Sequence, residues 1–183
     1  MKIITESQVE KHLTIPECIE AMNNVMVSVS QEKSILPIRQ FMPIENTKGK
    51  MAIMPGSIPN PFCFGIKLVC KYIREENSPY GSHVGMVLLF DSEKGIPLAM
   101  IEGASLTSIR TASVSALATK LMSKKEIKAM TILGCGEQAK RHILSMLTVR
   151  EPKNIYIHLV GTRGSIQRPQ RIVDSFQEVV EAS

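Results

Sequence analysis

Between residues 129 and 160 the chain runs from an apolar stretch through a glycine turn and an amphipathic stretch into a second apolar stretch, a succession that constrains the fold most. Ala129-Met-Thr-Ile-Leu133 has the length and content of a buried strand, and Gly134-Cys-Gly136-Glu-Gln-Ala139 places two glycines in a tight turn. Residues 138–148 carry helical spacing, and 154–160 are strand-like again. Strand, helix and strand joined by short turns make a βαβ unit, whose two strands run parallel because the helix carries the chain back across the sheet. Gly134 permits the turn, Gly136 lets backbone approach a ligand, and Ala139 still allows helix and strand to pack closely. A helix starting there directs its first N–H groups, those of Glu137 and Gln138 among them, and its positive dipole end at the turn. That suits the diphosphate of a dinucleotide. A glycine-rich turn without a ligand is the other reading of these residues.

The remainder divides into two patterns. Thr14-Ile-Pro-Glu17 offers an N-cap, a proline in the first turn and a capping glutamate, and Ile19, Met22, Val25, Met26 and Val29 follow at helical spacing, so a helix is predicted over 15–30. From 34 to 101 short apolar runs alternate with Pro, Gly and Asn, which predicts strands at 51–54, 64–73, 86–90 and 97–101 in an antiparallel or mixed sheet. The last two flank Asp91-Ser-Glu-Lys-Gly95 and read as a hairpin. Residues 105–123, rich in Ala, Ser, Leu and Thr, predict a helix whose small side chains let another backbone come close. The charged Lys124-Lys125-Glu126 precedes the βαβ unit, and a last helix is expected over 170–182. The fold class is α/β, with an α+β domain at 1–126 and a nucleotide-binding unit at 127–183.

Composition narrows the function. No run approaches the ~20 apolar residues of a membrane-spanning helix, and the first thirteen residues lack the apolar stretch of a signal peptide, so a cytoplasmic protein without a membrane partner is expected. Of 183 residues only 4% are aromatic, and the basic residues behind the +5 charge are scattered, which argues against a nucleic-acid partner. The four cysteines form no Cys-x-x-Cys pair and sit away from His and acids. They read as reduced thiols rather than metal ligands.

Four cations carry the remaining chemistry. Lys67 lies within Phe64-Gly-Ile-Lys-Leu-Val-Cys70, where alternation puts Gly65, Lys67 and Val69 on one face; it is either a site residue or the solvated half of an amphipathic strand. Arg39 and Arg110 pose the same choice between an anion clamp and a surface charge, and Arg110 with Thr111 near a helix start suits a phosphate. A dinucleotide fold that prefers NAD places an acid at the end of its second strand. No Asp or Glu occurs between Pro152 and Val173, and the nearest candidate is Arg163, which tilts the choice between NAD and NADP toward NADP unless Arg163 lies on a solvated loop.

Met54-Pro-Gly56, Phe64-Gly-Ile-Lys67, Val87-Leu-Leu-Phe-Asp91, Gly95-Ile-Pro-Leu-Ala99, Ile101-Glu-Gly103, Leu106-Thr-Ser-Ile-Arg-Thr-Ala-Ser113 and Leu133-Gly-Cys-Gly-Glu-Gln-Ala139, in that order and spacing, resemble the ornithine cyclodeaminase and mu-crystallin family. The resemblance implies a substrate and dimerisation domain followed by part of a Rossmann domain, and a homodimer. It implies NAD(P)-dependent chemistry on amino or imino acids, of the cyclodeaminase or of the ketimine and cyclic imine reductase type. By motif, Arg39 and Lys67 would hold the substrate carboxylate, with Lys67 at the reacting centre in the catalytic role, and Met54 would line the pocket. Arg110 and Thr111, with Gly134, Gly136, Glu137, Gln138 and Ala139, would hold the dinucleotide. Three departures accompany this. Ala52 stands where ornithine cyclodeaminase has a pocket Glu, residues 159–169 depart from the family's second strand, and the family's catalytic Asp falls beyond this sequence. The rival reading is a non-catalytic dimerisation or ligand-binding protein on the same scaffold.

Overall fold

The computed structural model describes residues 1–74, 78–134 and 136–158. Arg163 and the helix expected over 170–182 lie outside them. The chain forms two compact units, one from 1–13 and 24–107, the other from 14–23 and 108 onward.

The first unit is built on a six-stranded mixed sheet of β1 (Lys2–Ile4), β2 (Gln40–Pro43), β3 (Lys50–Pro59), β4 (Phe62–Lys71), β5 (His83–Phe90) and β6 (Pro97–Glu102), in the order β1-β6-β5-β4-β3-β2. Neighbours are antiparallel except β1, which joins the edge parallel to β6. The helix α1 (Glu6–His12) follows β1 and buries Val9. The predicted β5–β6 hairpin is present. Its loop is held by Asp91 Oδ1, which accepts the N–H groups of Glu93 at 3.1 Å and Lys94 at 2.7 Å, and closes through Gly95 at φ 66°.

Several strand boundaries differ from expectation, β5 starting at His83 rather than Met86 and β4 at Phe62 rather than Phe64. The strand expected at 51–54 runs on through Pro55 and Gly56 to Pro59, because β2 ends opposite Ile53 and the missing N–H of Pro55 faces no strand on that side. At its far end β4 stops at Lys71 rather than at residue 73, and Ile73 is exposed. Three short elements, β1, α1 and β2, carried too few residues for a readable period.

In the second unit, the start of α2 (Ile15–Ser30) is capped as its sequence predicts: Thr14 Oγ1 donates to Glu17 at 2.6 Å, and Glu17 N–H donates back to Thr14 Oγ1 at 3.4 Å. The Thr14 hydroxyl and the Thr14 N–H, which donates to Glu17 Oε2 at 3.3 Å, hold the Glu17 carboxyl below its ordinary pKa. Ile15, Ile19 and Met22 of α2 pack on Ala116 and Leu117 of α3 (Gly103–Met122) together with Met146 and Val149. Ala112 and Ala116 are wholly buried, so the small residues of this helix do admit a close neighbour. The βαβ unit follows as β7 (Ala129–Leu133), α4 (Glu137–Leu147) and β8 (Asn154–His158), with β7 and β8 parallel and paired from Ala129↔Asn154 to Leu133↔His158.

Candidate functional site

The residues expected to hold substrate lie in the first unit and are brought together by strand register. Met54 of β3 pairs directly with Lys67 of β4, and Lys67 pairs in turn with Val87 of β5. Residues opposite one another across strands present their side chains on the same face, so Met54 and Val87 flank Lys67. The β2–β3 ladder closes at Gln40↔Ile53, and Arg39 lies just before it, between that pair and the isolated bridge Ile35↔Ser57, whose register is shifted by one residue. Met54, Lys67 and Val87 therefore occupy one line across the sheet, and Arg39 immediately precedes β2. Arg39 is exposed and Lys67 partly buried, which suits a clamp with one mobile and one fixed cation. Ala52, buried, and Val69 form the next line on this face.

Sequence reasoning did not single out His83. It stands opposite Lys71 on β5, and burial together with the fields of Lys71 and Lys67 holds its imidazole below the ordinary pKa. Its signal was present in the alternation of β4 but required knowing which strand lies alongside. Glu102, at the end of β6, closes this unit's part of α3 by accepting the N–H groups of Ala104 at 2.5 Å and Ser105 at 2.9 Å, and the Ser105 hydroxyl. Burial alone would raise its pKa. Those hydrogen bonds outweigh burial and lower it.

The residues expected to hold a dinucleotide lie in the second unit. Gly134 adopts φ 124°, a backbone conformation that L side chains rarely adopt, so the turn after β7 does require glycine. Gly136 is different. It is the N-cap of α4 in extended backbone at φ −85°, and a Cβ built there meets nothing within 4 Å. Neither its conformation nor packing within the chain calls for glycine, and the space over it is what an approaching diphosphate uses. No side chain caps α4 among the described residues, so the first amides, at Glu137 and Gln138, stay directed at that space, while Ala139 N–H bonds Gly136 O at 2.9 Å. The turn thus fits the diphosphate.

Arg110 is exposed on α3, and its charge reaches the buried Cys18 thiol. Burial raises that thiol's pKa, which a hydrogen bond with Ser113 and the Arg110 charge partly offset. Thr111 is partly buried, and its carbonyl accepts the Ser115 hydroxyl at 3.3 Å. Sequence reasoning also passed over His142, whose Nδ1 lies 2.6 Å from Gln138 O and whose Nε2 lies 3.0 Å from Ser115 Oγ. A carbonyl can only accept, so Nδ1 carries a proton, and the ring ties the first turn of α4 to α3.

The ornithine cyclodeaminase/mu-crystallin family model matches residues 1–183. The chain belongs to the ornithine cyclodeaminase/mu-crystallin family. It is 32% identical over 160 residues to a Delta(1)-pyrroline-2-carboxylate reductase of Bacillus cereus, covering 86% of this chain and 49% of that one. It is 33% identical over 150 residues to the ketimine reductase mu-crystallin of Mus musculus, covering 79% and 48%. This family member therefore spans about half the length of the curated relatives it matches. Its fold is that of the Thermococcus litoralis Delta(1)-pyrroline-2-carboxylate reductase in complex with NADH and L-proline, with a TM-score of 0.84 and 24% identity over 97% of this chain and 55% of that one. It is also that of the iminosuccinate reductase of Paracoccus denitrificans in complex with NAD+, with a TM-score of 0.86 and 21% identity over 98% and 54%. Among the described residues of this family member, no helix is long and apolar enough to cross a membrane.

Proposed function

We propose that this chain is part of an NAD(P)-dependent enzyme acting on amino or imino acids, with substrate and dimerisation residues in 1–126 and a nucleotide-binding unit in 127–183. The observation that carries this reading is the direct pairing of Met54 with Lys67, with Arg39 immediately before β2, which supplies cations and an apolar side chain as a carboxylate with an adjoining hydrocarbon requires. Lys67 holds the carboxylate and fixes the reacting carbon, while Arg39 closes over it from the strand edge. Ala52 beside this line favours an apolar or cyclic imino acid over a diamino acid such as ornithine. Arg110, Thr111 and the amides of the Gly134 turn hold the dinucleotide, whose nicotinamide supplies or accepts the hydride when bound. Arg163 would meet a 2′-phosphate and so favours NADP.

A homodimer in the cytoplasm completes the reading. Its support is the other face of the sheet, where Met42, Met51, Cys70 and Val84 form one line across four strands, and Met42 and Val84 are 45% and 42% exposed. Apolar side chains in that arrangement suit a second copy of the same face.

Calorimetric titration of the chain with L-proline, NADH and NADPH tests the reading. Lys67→Met should lose L-proline and keep the dinucleotide, and Arg110→Met should do the reverse. L-Proline affinity unchanged in Lys67→Met would overturn the substrate role, and equal loss of both ligands in Arg110→Met the phosphate role.

A further inference from the structure

A helix start that offers its amides to a ligand cannot be held in place by the usual means. At most helix starts a side chain occupies the first N–H groups, as Thr14 does for Glu17 of α2 and Glu102 for Ala104 and Ser105 of α3. α4 begins instead at Gly136, with no side-chain cap. Its first turn has to be fixed from somewhere other than those amides.

His142, partly buried, does this on the carbonyl side. Its Nδ1 donates to Gln138 O at 2.6 Å, one turn back along α4, and its Nε2 lies 3.0 Å from Ser115 Oγ on α3. With its proton on Nδ1, the neutral ring has a lone pair at Nε2, which accepts the Ser115 hydroxyl. That hydroxyl stands between two acceptors, since Thr111 O lies 3.3 Å away, one turn back along α3. Gln138, His142, Ser115 and Thr111 thus form a continuous run of polar contacts within the second unit. Its two ends are residues that the dinucleotide reading places at the ligand, Gln138 beside the glycine turn and Thr111 beside Arg110. Ile143, next to the ring, and Ala112 and Ala116 of α3 are wholly buried, so both helices are tightly packed around this run. Beyond the far end of α4, Arg150 fastens the chain to α3 again, donating from Nη2 to Thr119 O at 3.1 Å and Lys120 O at 2.9 Å.

We infer that His142 is a positioning residue for the dinucleotide. Through Ser115 it sets the first turn of α4 against α3, so that the amides of Glu137 and Gln138 stand at a fixed separation from Arg110 and Thr111 and the two groups hold one diphosphate together. This rests on the dinucleotide role of the glycine turn proposed above. An imidazole suits the task because it carries a donor and an acceptor on one rigid plane, and few rotors have to be fixed to span both helices. Donors already held in place need no rearrangement when the ligand arrives, and that saving shows as affinity.

The test is calorimetric titration of the whole chain with NADH and with NADPH, beside urea unfolding of each variant. Ser115→Ala should weaken the tighter of the two dinucleotides about fivefold, the worth of one neutral hydrogen bond, and His142→Leu by at least as much. The double variant should bind no more weakly than His142→Leu alone, because both substitutions remove the same link. His142→Gln, with a donor and an acceptor on one planar amide, should recover most of the loss. Ser115→Ala, which puts a strong helix former within α3, carries the test if His142→Leu does not fold. A ring with only a structural role would lower the urea midpoint and leave the affinity of the folded chain unchanged, and that result overturns the inference. So do losses that add in the double variant, or a His142→Gln chain that recovers stability and not affinity. Gly136→Ala separates the two claims. If it weakens the dinucleotide and the His142 and Ser115 variants do not, only the positioning role fails. If neither dinucleotide binds the unaltered chain, the role of the glycine turn fails and that of His142 with it.

Discussion

Replacing Arg150 with Met should loosen the end of α3, which its side chain holds through several hydrogen bonds. The Arg150 guanidinium donates from Nε to Ser123 Oγ at 3.0 Å and Lys124 O at 2.9 Å, and from Nη1 to Val149 O at 2.7 Å. Its Nη2 donates to Thr119 O at 3.1 Å, Lys120 O at 2.9 Å and Ser123 O at 3.2 Å. Thr119 and Lys120 belong to the last turn of α3, where Thr119 O also accepts the Ser123 N–H at 3.0 Å, and the cation meets the negative end of the dipole. Hydrogen bonds to a charged group contribute about 1.5–3 kcal/mol each, but bonds sharing one guanidinium are not additive and water reaches part of this site. The net loss should be about 2–3 kcal/mol, which at about 2–4 °C per kcal/mol for a chain of this size lowers Tm by roughly 5–10 °C. Thermal unfolding followed by circular dichroism reads the shift, and hydrogen exchange at the amides of 119–124 locates it. Arg150→Lys keeps the charge without the fork and should recover no more than about half. A Met variant within about 0.5 kcal/mol of the parent would refute the reasoning.

Three further outcomes follow from the same kind of accounting. Glu102 has a lowered pKa in the folded chain, so the unfolded state binds more protons in acid, and the stability that this carboxylate supplies is present above its unfolded pKa and lost as pH falls through the folded value. Glu102→Gln should therefore be less stable than the parent near neutral pH and approach it in acid, and urea midpoints that stay a constant distance apart from pH 7 to pH 3 would count against this. Gly134→Ala should cost about 1–2 kcal/mol through backbone conformation alone, because φ is 124° and a Cβ there meets nothing within 4 Å. Gly136→Ala should leave the urea midpoint unchanged yet weaken NADH binding, and the reverse pattern would show that Gly136 serves the fold and not the ligand.

Local signals were legible in the chain wherever neighbours in sequence supply the physics. The Thr14 and Glu17 cap, the Asp91 to Gly95 turn, the bounds of β7 and the small-residue faces of α3 all depend on residues within one or two turns of one another, and all stand where expected. Alternation likewise placed Lys67 with Gly65 and Val69 on one face of β4. The start of α3 was read two residues late because its cap is Glu102, at the end of a strand, rather than the usual Ser or Thr.

What alternation could not supply is which residues of other strands share that face. Met54, Lys67 and Val87 become one line only through the pairing of β3, β4 and β5, and Lys71 meets His83 only because β5 lies beside β4 in one particular register. A slip of one residue would turn every one of these side chains to the opposite face, and no local propensity distinguishes the two registers. The same holds for Arg150, which reaches carbonyls some thirty positions away. The chain's own residues thus determined the elements, their caps and the glycine turn. Pairing and packing between elements distant in sequence decided which charges stand together.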